Sequence, residues 1–276
     1  MKEIWKEARM PHTPDVFTRT ETHGHFVQFY KADEPLLNRN VGNFLWDGLL
    51  RGDGLLVIAT RQRRESLSSH LSRLGADVAL ARKEGQLAML DAHEVLARFM
   101  VNGQPDWDIF QGAIDEALQL AGPRMSNAGI SAYGEMVGVL WEAGETEAAI
   151  RLEDCWNKLL HRGGITLFCG YPIDVFANDF ESGRLHDVLC AHSQVLPTGP
   201  NGDLRDALHQ AINERLGARA DEVRVSMKAG IPSLGLALPE AESAILWLRS
   251  NVPDEAEGIL AAARMHYDAS QAQPPA

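Results

Sequence analysis

The chain has 276 residues, a formal net charge of −12 at pH 7 and a hydrophobic content of 45%. This length accommodates one α/β domain of about 100–200 residues plus a further segment. The apolar content excludes a chain that is disordered throughout. The negative charge disfavours direct binding to nucleic acid or to an anionic membrane, and the best basic patch, residues 61–64, is short.

The sequence contains no apolar run near the roughly 18–20 residues that span a bilayer. The N-terminal residues are polar and mixed in charge, without the apolar core of a signal peptide. Cys155, Cys169 and Cys190 are odd in number and widely spaced, which fits neither a disulfide framework nor a Cys-x-x-Cys metal site. We therefore expect a cytoplasmic protein with no membrane partner and no metal site.

Short β-rich runs alternate with helical patterns after a polar N-terminal arm, residues 1–22. The predicted strands are residues 25–30, 55–59, 86–90, 129–133 and 165–169. This alternation predicts an α/β fold with a doubly wound, mainly parallel sheet. Asp33 is placed as a helix N-cap and Pro35 in the first helical turn.

The C-terminal part of the chain reads as mainly helical. A helix is predicted over residues 184–194, and residues 197–200 form a Pro- and Gly-containing linker. Amphipathic helices are predicted over residues 203–216, 240–249 and 255–267, with a disordered tail at 270–276. Such short helices must bury their apolar faces. We expect residues 201–269 to form a helical region for self-association or partner docking, or else to cover one flank of the sheet.

Ligands of doubly wound sheets bind beyond the carboxyl ends of the strands. The residues predicted at those ends are Tyr30, Thr60, Asp91, Glu135 and Tyr171. Glu135 is expected either to contact a ligand or to cap the following helix. The two tyrosines are expected to line a pocket or to pack at its rim, and Asp91 to cap a helix.

Four other residues have a structural and a functional interpretation. His25 is expected to be a satisfied structural histidine or a ligand contact, and Glu153 to pair with an arginine or to take part in the site. Trp156 is expected to be a core residue or to line the pocket. Cys169 is expected to be a buried, inert thiol. His186 and His192 are six residues apart and share no helix face, so they do not form a metal pair.

The chemistry of a nucleotide-binding loop is missing from the first strand–helix turn. A phosphate-binding loop has the pattern Gly-x-x-x-x-Gly-Lys-[Ser/Thr]. Here the turn contains Asp33 and Glu34 and no glycine. No Gly-x-Ser-x-Gly, His-Glu-x-x-His or kinase signature is present either. We expect a protein without catalytic residues; the alternative is an enzyme that uses Glu135 as acid or base.

Several short motifs together resemble the MEDS domain (methanogen/methylotroph, DcmR sensory) over residues 23–196. They are His-Phe-Val-Gln-Phe-Tyr at 25–30, Gly-Leu-Leu-Val-Ile-Ala-Thr at 54–60, Gly-Glu-Met-Val at 134–137 and Phe-Cys-Gly-Tyr-Pro at 168–172. The resemblance implies a RecA-like three-layer core, related to circadian-clock ATPases, that has lost its phosphate loop. It also implies sensing of small organic compounds beside transcription-regulating or kinase modules, although no helix-turn-helix or kinase pattern is visible here.

The resulting prediction is a signal-transduction module that binds a small organic ligand or a partner protein at the strand-end cleft. The C-terminal helices would relay the bound state, and self-association is an open alternative for them. A pure interaction scaffold, with the cleft filled by its own side chains, is the third hypothesis. The sequence identifies no cofactor.

Overall fold

The computed structural model describes residues 24–31, 33–125, 128–178, 180–199, 202–231 and 238–272. The predicted N-terminal arm, residues 1–22, lies outside the described residues. The strands are β1 His25–Phe29, β2 Gly54–Ala59, β3 Leu87–Asp91, β4 Met100–Val101, β5 Gln104–Pro105, β6 Ile130–Gly134, β7 Ile165–Tyr171 and β8 Gln194–Leu196. The first eight α-helices are α1 Glu34–Arg51, α2 Arg61–Arg73, α3 Val78–Lys83, α4 Ala92–Phe99, α5 Trp107–Gln119, α6 Met136–Glu142, α7 Thr146–Leu160 and α8 Ser182–Ala191. The C-terminal helices are α9 Asp203–Leu216, α10 Ala220–Gly230, α11 Glu240–Asn251 and α12 Pro253–Gln271.

The main sheet has six parallel strands in the order β3-β2-β6-β7-β1-β8. The predicted α/β doubly wound fold is therefore confirmed, with one strand more than the five expected from the sequence. Successive side chains of a strand point to opposite faces of the sheet. Phe26 and Phe168 accordingly pack with α1–α3 on one face, while Val27 and Cys169 pack with α4–α8 on the other.

The chain leaves neighbouring strands toward opposite faces at three places. After β2 it enters α2 on one face, whereas after β3 and β6, which lie on either side of β2, it enters α4 and α6 on the other face. The adjacent strands β1 and β7 diverge in the same way, toward α1 and α8. Such switch points open a crevice at the carboxyl ends of the strands, which is where doubly wound sheets bind ligands.

Local capping signals act as expected. The Asp33 carboxylate accepts a hydrogen bond from the Leu36 backbone N–H, and Pro35 lies in the first turn of α1. The Asp91 carboxylate accepts from the backbone N–H groups of His93 and Glu94 and so caps α4.

One predicted boundary needs correction. The helix predicted over 184–194 ends at Ala191, because the chain then turns to pair Val195 of β8 with Val27 of β1. Met100, directly after α4, pairs with Pro105 in a short hairpin. Asn102 and Gly103 form its turn with φ of 51° and 76°, the left-handed conformation that an Asn-Gly hairpin requires. The short helices α3 and α10 were not predicted.

The C-terminal helices bury the apolar faces expected from the sequence, including Leu208, Ile212 and Ile245. Helices α9 and α12 pack along each other, and their apolar side chains join the hydrophobic cluster on the α4–α8 face of the sheet. Helix α12 continues to Gln271 and so includes the first residues of the segment predicted as a tail. The role of this region in docking or self-association stays a prediction. None of the described helices has the length and hydropathy of a membrane span.

Candidate functional site

A cavity of about 240 Å³ opens at the carboxyl edge of the sheet, where the switch points lie. Three of the predicted strand-end residues line it, namely Tyr30, Thr60 and Glu135. Residues of α1, α2 and α6 complete the walls; they include Glu34, Asn38, Arg63, Val139 and Glu142. The cavity therefore lies where the parallel-sheet argument predicts a ligand site.

Glu135 is held at the floor of this cavity by an array of donors. Its Oε2 accepts from the backbone N–H and from the hydroxyl of Thr60, both at 2.8 Å. Its Oε1 accepts from Nε of Arg63 at 2.9 Å. Both oxygens thus have partners, and the carboxylate joins the ends of β2 and β6.

Arg63 is the central cation of the cavity, although it is buried. Its Nη1 donates to Asn38 Oδ1 at 2.7 Å and its Nη2 to Glu34 Oε1 at 3.0 Å. The guanidinium also lies 4.9 Å from the centre of the Tyr30 ring, in a cation–π contact. Burial raises the pKa of Tyr30, with a further contribution from Glu135. The phenol is therefore a neutral hydrogen-bonding group in the cavity wall.

Sequence reasoning placed Arg63 in a short basic patch and missed this role. In the structure, Arg61 pairs with Glu65 and Arg64 pairs with Asp91, so all three arginines of residues 61–64 have carboxylate partners. The available signal was position: α2 begins directly after β2, so its first turn lies at the strand-end crevice. The patch does not offer a free basic surface.

A second polar cluster is buried on the other face of the sheet, beneath α7 and α8. Glu153 of α7 lies at its centre and is fully buried. Its Oε1 accepts from the Tyr171 hydroxyl at 2.8 Å and lies 3.3 Å from Nε2 of His192. Its Oε2 lies 3.3 Å from Nε2 of His25, which in turn lies 3.4 Å from the Cys169 sulfur. Glu153 thus contacts histidines rather than the predicted arginine.

The groups of this cluster shift one another's protonation. Burial acts to raise the pKa of Glu153, but His192 and His25 outweigh it and hold that pKa well below its usual range. Burial raises the pKa of the Cys169 thiol and of the Tyr171 phenol, and Glu153 adds to both shifts. The centre of the cluster is therefore a carboxylate surrounded by neutral or cationic groups.

The profile of the MEDS family, described as the methanogen/methylotroph, DcmR sensory domain, matches residues 24–193. The chain belongs to the MEDS family. No curated protein and no solved structure matches it. In this MEDS domain the match spans five of the six strands of the main sheet and helices α1–α8, and it ends directly before β8. It therefore includes both polar clusters. MEDS is a family of sensory domains, which is consistent with a sensory or signalling role for the chain.

The residues predicted as site residues of the MEDS domain fall into separate places. Tyr30, Thr60 and Glu135 line the cavity, whereas Asp91 does not line it and binds Arg64. The remaining four lie on the α4–α8 face of the sheet. His25, Glu153 and Tyr171 meet in the buried cluster, and Trp156 packs edge-on against Phe110 in the core. Sequence reasoning missed Arg63 and His192, which complete the two clusters.

Proposed function

We propose that this MEDS domain binds a small organic molecule in the strand-end cavity and relays its presence to the C-terminal helices. The observation that carries the proposal is a direct link between the two regions. The Asp33 carboxylate caps α1 through Oδ1, and its Oδ2 accepts a hydrogen bond from the Tyr267 hydroxyl of α12 at 3.1 Å. Helix α1 begins at the cavity, so a shift there reaches α12.

The cavity favours a small molecule that is not an anion. Its volume of about 240 Å³ lies below the roughly 300–1,000 Å³ of pockets for drug-sized ligands. Among the described residues that line the cavity, the carboxylates of Glu34, Glu135 and Glu142 outnumber the single cation Arg63, which is already paired with two of them. This lining repels phosphates and carboxylates, while Asn38 and Tyr30 offer hydrogen bonds to a polar neutral or cationic molecule.

The relay uses contacts that a ligand in the cavity would disturb. Arg63 binds Glu34 and Asn38 in the first turns of α1. A ligand that competes for Arg63 or Glu34 would therefore move the α1 N-terminus, whose cap is Asp33. Tyr267 is fully buried, and its hydroxyl oxygen also lies 3.3 Å from the Thr198 carbonyl oxygen. A displaced cap would thus change the packing of α12 against the sheet domain.

The geometry also bears on the enzyme hypothesis. Both oxygens of Glu135 accept hydrogen bonds from Thr60 and Arg63, so this carboxylate is engaged as an ion-pair partner and has no oxygen without a donor to face a substrate. We therefore infer a non-catalytic sensor. A turnover that was lost in Glu135→Gln while the fold was kept would support the enzyme instead.

The binding step is tested by thermal-shift measurements with short-chain alcohols, amines and carboxylic acids, with ATP as a contrast. We expect stabilisation by neutral or cationic compounds and none by ATP. Val139→Trp, which fills the cavity, should abolish the shift. The matched control Val225→Trp changes an exposed valine on α10 and should keep it. Stabilisation that persists in Val139→Trp would contradict binding at this site.

The relay step is tested with Tyr267→Phe and hydrogen exchange. In the wild type, a compound that stabilises the protein should change the exchange of α12 amides. In Tyr267→Phe the same compound should still raise the melting temperature, but the change in α12 should be lost. Unaltered coupling in this variant would show that the Asp33–Tyr267 contact does not carry the signal.

A further inference from the structure

Four potential metal ligands converge in the buried cluster beneath α7 and α8. One ligand atom from each of His25, Glu153, Cys169 and His192 lies within 4.8 Å of all the others. Metal–ligand bonds of about 2.0–2.3 Å in a tetrahedron place neighbouring ligand atoms about 3.3–3.8 Å apart. With Oε2 as the ligand atom of Glu153, two pairs already have this spacing: Oε2 lies 3.3 Å from His25 Nε2, which lies 3.4 Å from the Cys169 sulfur.

In both histidines, Nδ1 contacts a backbone carbonyl, which leaves Nε2 as the candidate metal ligand. His25 Nδ1 lies 3.0 Å from the Ala191 carbonyl, and His192 Nδ1 lies 2.6 Å from the Val188 carbonyl. A carbonyl oxygen can only accept, so each Nδ1 carries the hydrogen. In the neutral imidazole, Nε2 then presents a lone pair toward Glu153. Histidine ligands of metals are oriented by contacts of this kind.

His192 supplies an independent sign that the cluster is built around a ligand. Its side chain is fully buried, yet Nε2 makes no well-aligned hydrogen bond with any described residue, although Glu153 Oε1 is 3.3 Å away. Buried polar atoms almost always have a partner. This nitrogen points into the same space as the sulfur of Cys169 and Nε2 of His25.

We propose that His25, Glu153, Cys169 and His192 bind a divalent transition-metal ion of the Zn²⁺ class in a closed tetrahedral site. Borderline ions of this class accept imidazole, thiolate and carboxylate together. On binding, the Cys169 thiol releases its proton to solvent and a metal–sulfur bond forms. Two neutral imidazoles, one thiolate and one carboxylate then balance the two charges of the ion, so the buried site is neutral.

The site joins four separate parts of the fold. His25 begins β1, Cys169 lies in β7, Glu153 lies in α7 and His192 follows α8. The Tyr171 hydroxyl keeps its hydrogen bond to Glu153 Oε1, which leaves Oε2 to the metal. With four protein ligands the site has no open position, as in structural zinc sites. The proposed metal site is distinct from the strand-end cavity. The cavity lies at the carboxyl edge of the sheet, whereas the metal site lies on its α4–α8 face.

The test is metal analysis of the 276-residue chain after incubation with Zn²⁺ and removal of free metal. We expect one Zn²⁺ per chain in the wild type and loss of it in Cys169→Ser and His192→Ala. Matched controls are Cys190→Ser and His186→Ala, an exposed cysteine and histidine of α8 whose side chains lie 3.6 Å apart. Both controls should keep the metal. Wild-type protein without stoichiometric zinc, or Cys169→Ser that retains it, would overturn the proposal.

A measurement on the wild type covers the case in which a variant fails to fold. Co²⁺ in place of Zn²⁺ should give the sulfur-to-cobalt charge-transfer absorption of a tetrahedral thiolate site. Chelation should remove this absorption and lower the melting temperature, because a ligand of the folded state alone stabilises that state. Co²⁺ binding without the sulfur band, or no Co²⁺ binding at all, would show that the cluster is instead an ion pair of Glu153 with protonated histidines.

Discussion

The two polar clusters of this MEDS domain are both built around a buried glutamate, but their partners differ in kind. Glu135 in the cavity is bound by Arg63 and Thr60, groups that can only donate to it at physiological pH. Glu153 beneath α7 and α8 is surrounded by His25, His192 and Cys169. When such a group loses a proton, it changes from a hydrogen-bond donor into a group that can offer a lone pair to a metal ion.

This difference separates a fixed site from one that can change state. The Arg63 guanidinium has no lone pair to offer a metal ion, so the Arg63–Glu135 pair has a fixed pattern of donors and acceptors with which to orient a ligand. The histidine and cysteine groups can take up a metal ion or a proton. Two glutamates that are both buried can thus differ in chemistry, because the side chains around them differ.

The largest expected effect comes from removing the cation of the fixed pair. Arg63→Met leaves Glu135 buried without its charged partner, and breaking a buried ion pair in this way costs about 3–5 kcal/mol. Urea unfolding should show a loss of this size. The matched control Arg61→Met, in which an arginine with 84% side-chain exposure is replaced, should change stability by less than about 0.5 kcal/mol.

A double variant sharpens this result. Arg63→Met combined with Glu135→Leu removes both charges, and buried pairs replaced by apolar groups are often neutral in stability. The double variant should therefore recover most of the loss. A double variant as unstable as Arg63→Met would mean that the arginine acts through packing rather than through its charge.

A smaller effect is expected in the second cluster when Glu153 loses a neutral donor. Tyr171→Phe removes the 2.8 Å hydrogen bond to Oε1, and a bond to a charged group contributes about 1.5–3 kcal/mol. The control is Tyr133→Phe, since the Tyr133 hydroxyl is buried without a partner among the described residues. Urea unfolding in the presence of a chelator should show a loss for Tyr171→Phe and little change for Tyr133→Phe. Equal losses would refute the assigned role of the bond.

The smallest effect concerns a third buried glutamate, Glu242 of α11, which has no cation beside it in the part of the chain that the structure describes. Its Oε1 accepts from the Thr198 backbone N–H at 2.7 Å. Burial raises the pKa of Glu242 against this hydrogen bond. The folded state therefore holds the proton more tightly than the unfolded chain, whose carboxyl has a pKa of about 4.3. Glu242 then lowers stability increasingly as the pH rises above that value.

Glu242→Gln removes this pH-dependent penalty, because the amide oxygen still accepts from Thr198 and carries no charge. We expect the variant to be more stable than the wild type near pH 7, with the difference vanishing as the pH falls toward about 4. Urea unfolding at several pH values measures it. A difference that is constant with pH would contradict the assignment.

The sequence by itself determined the features that depend on neighbours along the chain. The strand–helix alternation predicted the sheet, and Asp33 and Asp91 were identified as caps because a cap bonds to a backbone N–H two or three residues away. Placement of Tyr30, Thr60 and Glu135 at the cavity followed from the parallel topology alone.

The tertiary structure alone decided which side chains meet across the fold. Arg63 and Glu135 are 72 residues apart, and His25 lies 166 residues before the Ala191 carbonyl that orients it. Nothing in the local pattern of residues 61–64 distinguishes Arg63 from its neighbours. His192 lies six residues after His186, and this spacing does not predict a metal pair. Their contacts arise because strand order and helix packing bring distant segments together, and a periodic pattern carries no information about which distant segment will face which.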